Sequence, residues 1–224
     1  SLTLKQLEEA NILGKELEDD SKSGVDFPST QSKILDKRNS LQNEYLSNDV
    51  HETKINKKPL LLFDLNGTLV NDWNSRYTEG IRIRPGTNQL KRLKGKFNLG
   101  VYSCMKDYNV KKIVKVLEQK LGKGIFKVVL HQSYCDKAST QICELLKKPY
   151  AMVKPLHKNS SFIEQDIDKM VLIDDSEYKI LPEEKNNLIQ ISTWDGITDD
   201  DGVLEVLVTN LLKYIPSKGD VRRK

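Results

Sequence analysis

From position 58 onward, short apolar runs alternate with stretches whose apolar residues recur every three or four positions. Leu60–Asp64, Asn98–Ser103, Lys127–His131, Met170–Asp174 and Leu188–Ile191 have strand length and predict buried strands. Gly86–Lys94, Tyr108–Leu121, Thr140–Lys147, Ser160–Asp166 and Leu204–Tyr214 predict helices. Alternation of this kind predicts an α/β fold: a parallel sheet with right-handed crossovers and helices on both faces. The upstream residues follow another pattern. Leu4, Leu7, Ala10, Leu13 and Leu17 line one side of an amphipathic helix. Asp19–Gln31, polar and carrying Phe27-Pro28, reads as a linker, and a second helix runs from Ser32 to about Leu46. The predicted organisation is a helical extension at 1–57, the α/β domain at 58–215 and a basic tail at 216–224 expected to be disordered.

Composition changes this picture little. Of 224 residues, 38% are hydrophobic and 30% charged, polar for a globular chain yet sufficient for a core. The longest apolar run, Leu60–Phe63, is far short of the roughly 20 residues that cross a bilayer. A leader with a basic start and an apolar centre is missing too, which argues against secretion. The chain begins at Ser1 rather than Met, which suggests a processed product or an artificially trimmed chain and leaves import into an organelle open. A net charge of +4 is too small to argue for nucleic acid. The three cysteines, Cys104, Cys135 and Cys143, lack CxxC spacing; reduced thiols in a nuclear or cytoplasmic compartment are the expectation.

In an open parallel sheet, chemistry sits beyond the carboxyl ends of the strands. Asp64, Ser103, His131 and Asp174 each end a predicted strand. Asp64 enters a loop that Gly67 allows to turn tightly, and a carboxylate so fixed can hold a hard cation or attack phosphorus. Asp174 and Asp175 are adjacent carboxylates that repel unless a cation lies near. Lys154 can neutralise a phosphoryl oxygen or the nucleophile. Each of these alone is more often a solvated surface charge; the four in order are harder to obtain by chance.

This constellation resembles the haloacid dehalogenase (HAD) superfamily, whose four motifs match Asp64–Thr68, Ser103, Lys154 and Asp174-Asp175. The finer resemblance is to the NLI-interacting-factor branch, which includes phosphatases of the RNA polymerase II C-terminal domain. Arg84-Pro85-Gly86, Tyr108, His131-Gln-Ser-Tyr-Cys135 and Ile173-Asp-Asp-Ser-Glu-Tyr178 carry it, over about residues 58–215. The resemblance implies Mg²⁺ as cofactor, a HAD-like Rossmannoid sheet, and Asp64 as the nucleophile of an aspartyl-phosphate. It implies a phosphate pocket of Thr68, Ser103, Cys104 and Lys154. The metal ligands would be Asp64, the backbone carbonyl of Asn66, Asp174 and Asp175, with Asp174 ligating or orienting Lys154. HAD enzymes acting on small metabolites usually carry a cap domain. Leu65–Phe97 and Gln132–Val153 are too short for one, so a capless site facing a phosphate on a macromolecule is expected.

One residue departs from the branch. Its phosphatases carry Asp two positions after the nucleophile as general acid and base; here that position is Asn66. An amide neither donates nor recovers a proton near neutral pH. General acid–base catalysis contributes roughly 10²–10⁴-fold, so a slow enzyme is expected. Asp72 and Glu79, in the predicted flap, are substitute acids of low weight. The leading expectation is a slow phosphoprotein phosphatase. The alternatives are a pseudophosphatase that binds a protein partner, through its pocket or the N-terminal helices, and a nucleic-acid-end phosphatase or binder. Lys91, Arg92, Lys94, Lys96, Lys111, Lys112, Lys115 and Lys120 form a basic face, most simply a solvated one, and Asp195–Asp201 is expected to be a loop capping the final helix.

Overall fold

A computed structural model describes residues 58–71, 80–199 and 201–222. The two N-terminal helices and the flap acids Asp72 and Glu79 lie outside the described residues. Five strands form one parallel sheet: β1 (Leu60–Phe63), β4 (Asn98–Tyr102), β5 (Phe126–Leu130), β8 (Met170–Asp174) and β9 (Leu188–Gln190), in the order β5-β4-β1-β8-β9. Leu60 lies in register with Asn98 on one side and Met170 on the other. All five predicted strands are therefore present, each within a residue or two of its expected bounds.

The sheet is buried on both faces, and strand alternation divides its side chains between two apolar clusters. Leu61, Phe63, Leu99, Val101, Val171 and Ile173 pack with α1 (Asp107–Leu121), through Val110, Ile113, Leu117 and Leu121, and with α4 (Val203–Tyr214), through Leu204, Leu207, Val208 and Leu211. Leu60, Leu62, Tyr102, Met170 and Leu172 face the other way, onto Leu156 of α3 (Leu156–Ser160), Ile163 and Ile180. The first crossovers thus cover one face and the later ones the other. Strand order reverses at β1, so Asp64 stands where the loops diverge and open a crevice. Gly100 is required by this packing: a Cβ there would lie 2.8 Å from Leu62 Cδ2 and 2.9 Å from the Val128 carbonyl.

Smaller elements fill the connections: a β2–β3 ladder (Val70–Asn71 with Arg82–Ile83), a β6–β7 ladder (Asp136–Lys137 with Met152–Val153) and α2 (Thr140–Leu145). No separate domain is inserted at either connection among the described residues, as the short spacing predicts.

Three expectations need correction. The helix expected at Ser160–Asp166 begins earlier and is α3, Leu156–Ser160; the chain then turns, with Glu164 at φ 52°. Its start is set by a residue distant in sequence: the buried Glu184 carboxylate accepts from the Leu156 N–H at 2.9 Å and the His157 N–H at 2.8 Å. Gly86–Lys94 is a 3₁₀ helix, Thr87–Leu93. The tail is anchored rather than loose: Val221 is buried and its N–H donates to the Asp168 carbonyl at 2.8 Å. Of the eight residues of the predicted basic face, all are exposed except Lys96, half-buried, whose ammonium donates to the Leu212 carbonyl near the end of α4 at 2.8 Å. Asp201 does serve the final helix, accepting from the Val203 N–H at 3.1 Å.

Candidate active site

Three strand exits converge. β1 delivers Asp64, β4 delivers Ser103 and β8 ends on Asp174, followed by Asp175; Lys154 enters from the exit of β7. The Lys154 ammonium is wholly buried and bridges two carboxylates, 2.7 Å from Asp64 Oδ1 and 2.6 Å from Asp174 Oδ2. Its main-chain N–H is fixed by the Lys179 carbonyl at 2.6 Å. Asp174 thus orients Lys154, and its Oδ1 accepts from the Ser176 N–H at 2.9 Å. Asp175 is held from outside the motif: its Oδ2 accepts from the Thr193 hydroxyl at 2.7 Å. One oxygen each of Asp64, Asp174 and Asp175 lie within 4.8 Å of one another.

Charge balance follows from this geometry. Burial pushes the Asp64 carboxyl up; Lys154 pulls it back and Asp174 pushes it further, so it sits at about 7 instead of 3.8. Burial works against the Lys154 charge, but Asp174 and Asp64 outweigh it and hold the ammonium firmly protonated. Two carboxylates and one ammonium leave an excess negative charge at high pH, which a cation would offset. The donors are all oxygens, as a hard divalent cation prefers. Gly67 (φ 83°) keeps the space clear, because a Cβ there would lie 2.5 Å from Asp175 Oδ2.

The loop after β1 completes the pocket. Thr68 is fully buried, and its hydroxyl has no hydrogen-bond partner within the protein. Orphaned buried hydroxyls of this kind are rare. Ser103, 1% exposed, donates its N–H to the Leu130 carbonyl at 2.9 Å, and its Oγ accepts from the Met105 N–H at 3.3 Å. Asn66 is half-buried, and its amide donates to Met105 Sδ at 3.3 Å. Cys104 is half-buried at the same rim.

Three contributors are not evident from the sequence. Arg84, seen there only as part of Arg84-Pro85-Gly86, is fully buried and donates to the Gly67 and Thr68 carbonyls at 3.3 and 3.2 Å. The same guanidinium pairs with Asp201 at 2.6 Å and reaches Ser192 Oγ at 3.3 Å. Thr193 was missed altogether, as was Trp194, whose N–H donates to the Gly67 carbonyl at 2.8 Å. Neither lies in an apolar run or motif, so only the fold reveals them.

Comparison with known families decides the affiliation. The family model of NLI interacting factor-like phosphatases matches residues 59–222. The chain belongs to this family. Among solved structures, the chain is similar to the fission yeast RNA polymerase II CTD phosphatase Fcp1 bound to beryllium fluoride (20% identity, TM-score 0.44, covering 78% of this chain and 53% of that one). A second structure of Fcp1, an essential RNA polymerase II CTD phosphatase, gives 20% identity and a TM-score of 0.43, covering 78% and 52%. The 3-deoxy-D-manno-octulosonate 8-phosphate phosphatase of Moraxella catarrhalis, in complex with magnesium, phosphate and sugar, gives 14% identity and a TM-score of 0.40, covering 71% and 88%. The chain thus spans about half the length of the two Fcp1 chains. Among curated proteins no match was found. No helix among the described residues is long and apolar enough to cross a membrane.

Proposed function

We propose that this chain is a Mg²⁺-dependent phosphoprotein phosphatase that works through an aspartyl-phosphate on Asp64 and is slowed by Asn66. One observation carries the reading: the buried Lys154 ammonium sits locked between Asp64 and Asp174, and Asp175 joins the same two carboxylates in one cluster of oxygens. A structural ion pair needs no third carboxylate gathered next to it. In this reading Asp64 attacks phosphorus, the substrate oxygen departs, and water later cleaves the acyl phosphate. Lys154 and the hydroxyls of Thr68 and Ser103 hold the phosphoryl oxygens as negative charge builds on them. Asp64, Asp175 and the backbone carbonyl of Asn66 would hold Mg²⁺, which would supply charge neutralisation at the same place. That no domain is inserted among the described residues supports a phosphate displayed on a protein over a small metabolite.

A second reading, a pseudophosphatase that binds a phosphorylated partner, draws support from Asn66. Its amide is engaged by Met105 Sδ and offers no proton to a departing alkoxide. An aryl phosphate separates the two readings, because its leaving group needs little protonation. Under Mg²⁺, the phosphatase reading expects slow hydrolysis by the parent, none by Asp64→Asn, and a gain on the order of 10²-fold or more for Asn66→Asp on a phosphoserine peptide. A silent parent with an active Asn66→Asp variant establishes the pseudophosphatase. Silence in all of them rejects both phosphoryl-transfer roles for Asp64.

A further inference from the structure

β4 and β5 are parallel neighbours, so their exits run side by side: the Ser103 N–H donates to the Leu130 carbonyl, and the Gln132 N–H to the Met105 carbonyl at 2.8 Å. This places Cys104, next to Ser103, against Cys135, which follows a 3₁₀ turn at Gln132–Tyr134. Their sulfurs are 3.4 Å apart, with the Cys135 thiol donating to the Cys104 sulfur. Cys135 Sγ also lies 3.8 Å from the Ser103 and His131 carbonyls. The proposed chemistry at Asp64 uses neither thiol. We infer that Cys104 and Cys135 form a peroxide-reactive dithiol whose oxidation to a disulfide distorts the Ser103 loop and weakens phosphoryl binding.

The two sulfurs are unequal in the way such a pair requires. The hydrogen bond from Cys135, against the cost of burial and with help from the Lys154 and Lys179 charges, draws the Cys104 thiol down to about 6. Cys135 is pushed up by donating to its neighbour and by burial, and stays protonated. Cys104 is half-buried and reachable, while Cys135 is buried behind it. The Cys104 thiolate attacks one peroxide oxygen; the O–O bond breaks, and the departing hydroxide takes up a proton as water. Cys135 then loses its proton and attacks the sulfenic sulfur, the S–S bond forms, and the second oxygen leaves as water. Two electrons pass from the thiols to the peroxide. A disulfide needs about 2.05 Å between sulfurs, so the pair must close by more than an ångström. Cys104 adjoins Ser103 directly, so that movement is felt by the hydroxyl next to it. This last link rests on the phosphate-pocket reading of Ser103; the thiol chemistry does not.

The test treats the intact chain with a small excess of hydrogen peroxide, then blocks free thiols with iodoacetamide and maps peptides by mass. The expected product is a Cys104–Cys135 cross-link two hydrogens lighter than the dithiol, reversed by dithiothreitol, with Cys143 still alkylated. In Cys135→Ser, Cys104 runs on to the sulfenic and sulfinic acids and no cross-link forms. Beryllium fluoride with Mg²⁺, followed through Trp194 fluorescence, is expected to bind at least tenfold more weakly to the oxidised chain and to recover on reduction. Preferential loss of Cys143, or no cross-link, overturns the dithiol. A cross-linked chain that binds beryllium fluoride as tightly as the reduced one overturns its coupling to the pocket. A reduced chain that binds none defeats the phosphate-pocket reading, and the mass map alone then decides the thiol pair.

Discussion

At the residue scale, the site is organised by one ammonium that cannot satisfy two buried carboxylates. Asp64 has a carboxyl value near 7 in the folded chain against 3.8 ordinarily, so between these values the folded chain holds a proton that the unfolded chain has released. Stability from this group is therefore full below about pH 4 and is lost as pH rises through 7. Asn carries no charge at any pH, so Asp64→Asn is expected to match its parent at pH 4 and below. Without divalent cation it should become the more stable of the two at pH 8. With each unit worth about 1.4 kcal/mol, the gap in Tm should reach several degrees. Thermal melts across that range test this; a gap that does not change with pH contradicts the charge argument. Mg²⁺ at pH 8 should raise the parent's Tm and leave the Asn variant nearly unmoved.

At the element scale, the nucleophile loop and α4 are joined through one guanidinium. Arg84 ties the Gly67 and Thr68 carbonyls on one side to Asp201, just before α4, on the other. Arg84→Met leaves the half-buried Asp201 without its cation and the Gly67 and Thr68 carbonyls without their donor, which costs about 2–3 kcal/mol. A fall in Tm on the order of 10 °C is expected. Arg84→Lys is expected to recover only part of it, because an ammonium cannot reproduce the fork that serves both partners. Glu184→Ala is expected to cost about 1–3 kcal/mol in denaturant melts, since two N–H donors at the start of α3 lose their acceptor. These two residues also mark what the sequence concealed. Strands such as Met170–Asp174 were legible because an apolar run ending in a carboxylate is a local pattern. α3 was misplaced because its cap comes from Glu184, and Arg84 and Thr193 were overlooked because their partners lie on other loops. The carboxylates and Lys154 were legible through motif order; that Lys154 bridges Asp64 and Asp174 required the fold.

At the scale of the whole molecule, the apolar clusters among the described residues draw on side chains from Leu60 to Val221. The family match at residues 59–222 covers the same span. Even the tail contributes, because Val221 closes against the Asp168 carbonyl beneath β8. We therefore propose residues 58–222 as an autonomous folding unit with the site complete inside it. Removal of residues 1–57 is expected to leave a single cooperative unfolding transition with a Tm within a few degrees of the full chain. It should leave Mg²⁺-dependent aryl phosphate hydrolysis unchanged per molecule. Removal of 216–224 should do the opposite, lowering Tm by several degrees through loss of the buried Val221 contact. A large loss on N-terminal removal would mean that the extension supplies apolar contact to the domain. If stability and aryl phosphate turnover survive while activity on phosphoprotein falls, the extension acts in substrate or partner capture, which a site without a cap leaves to parts of the chain outside the sheet.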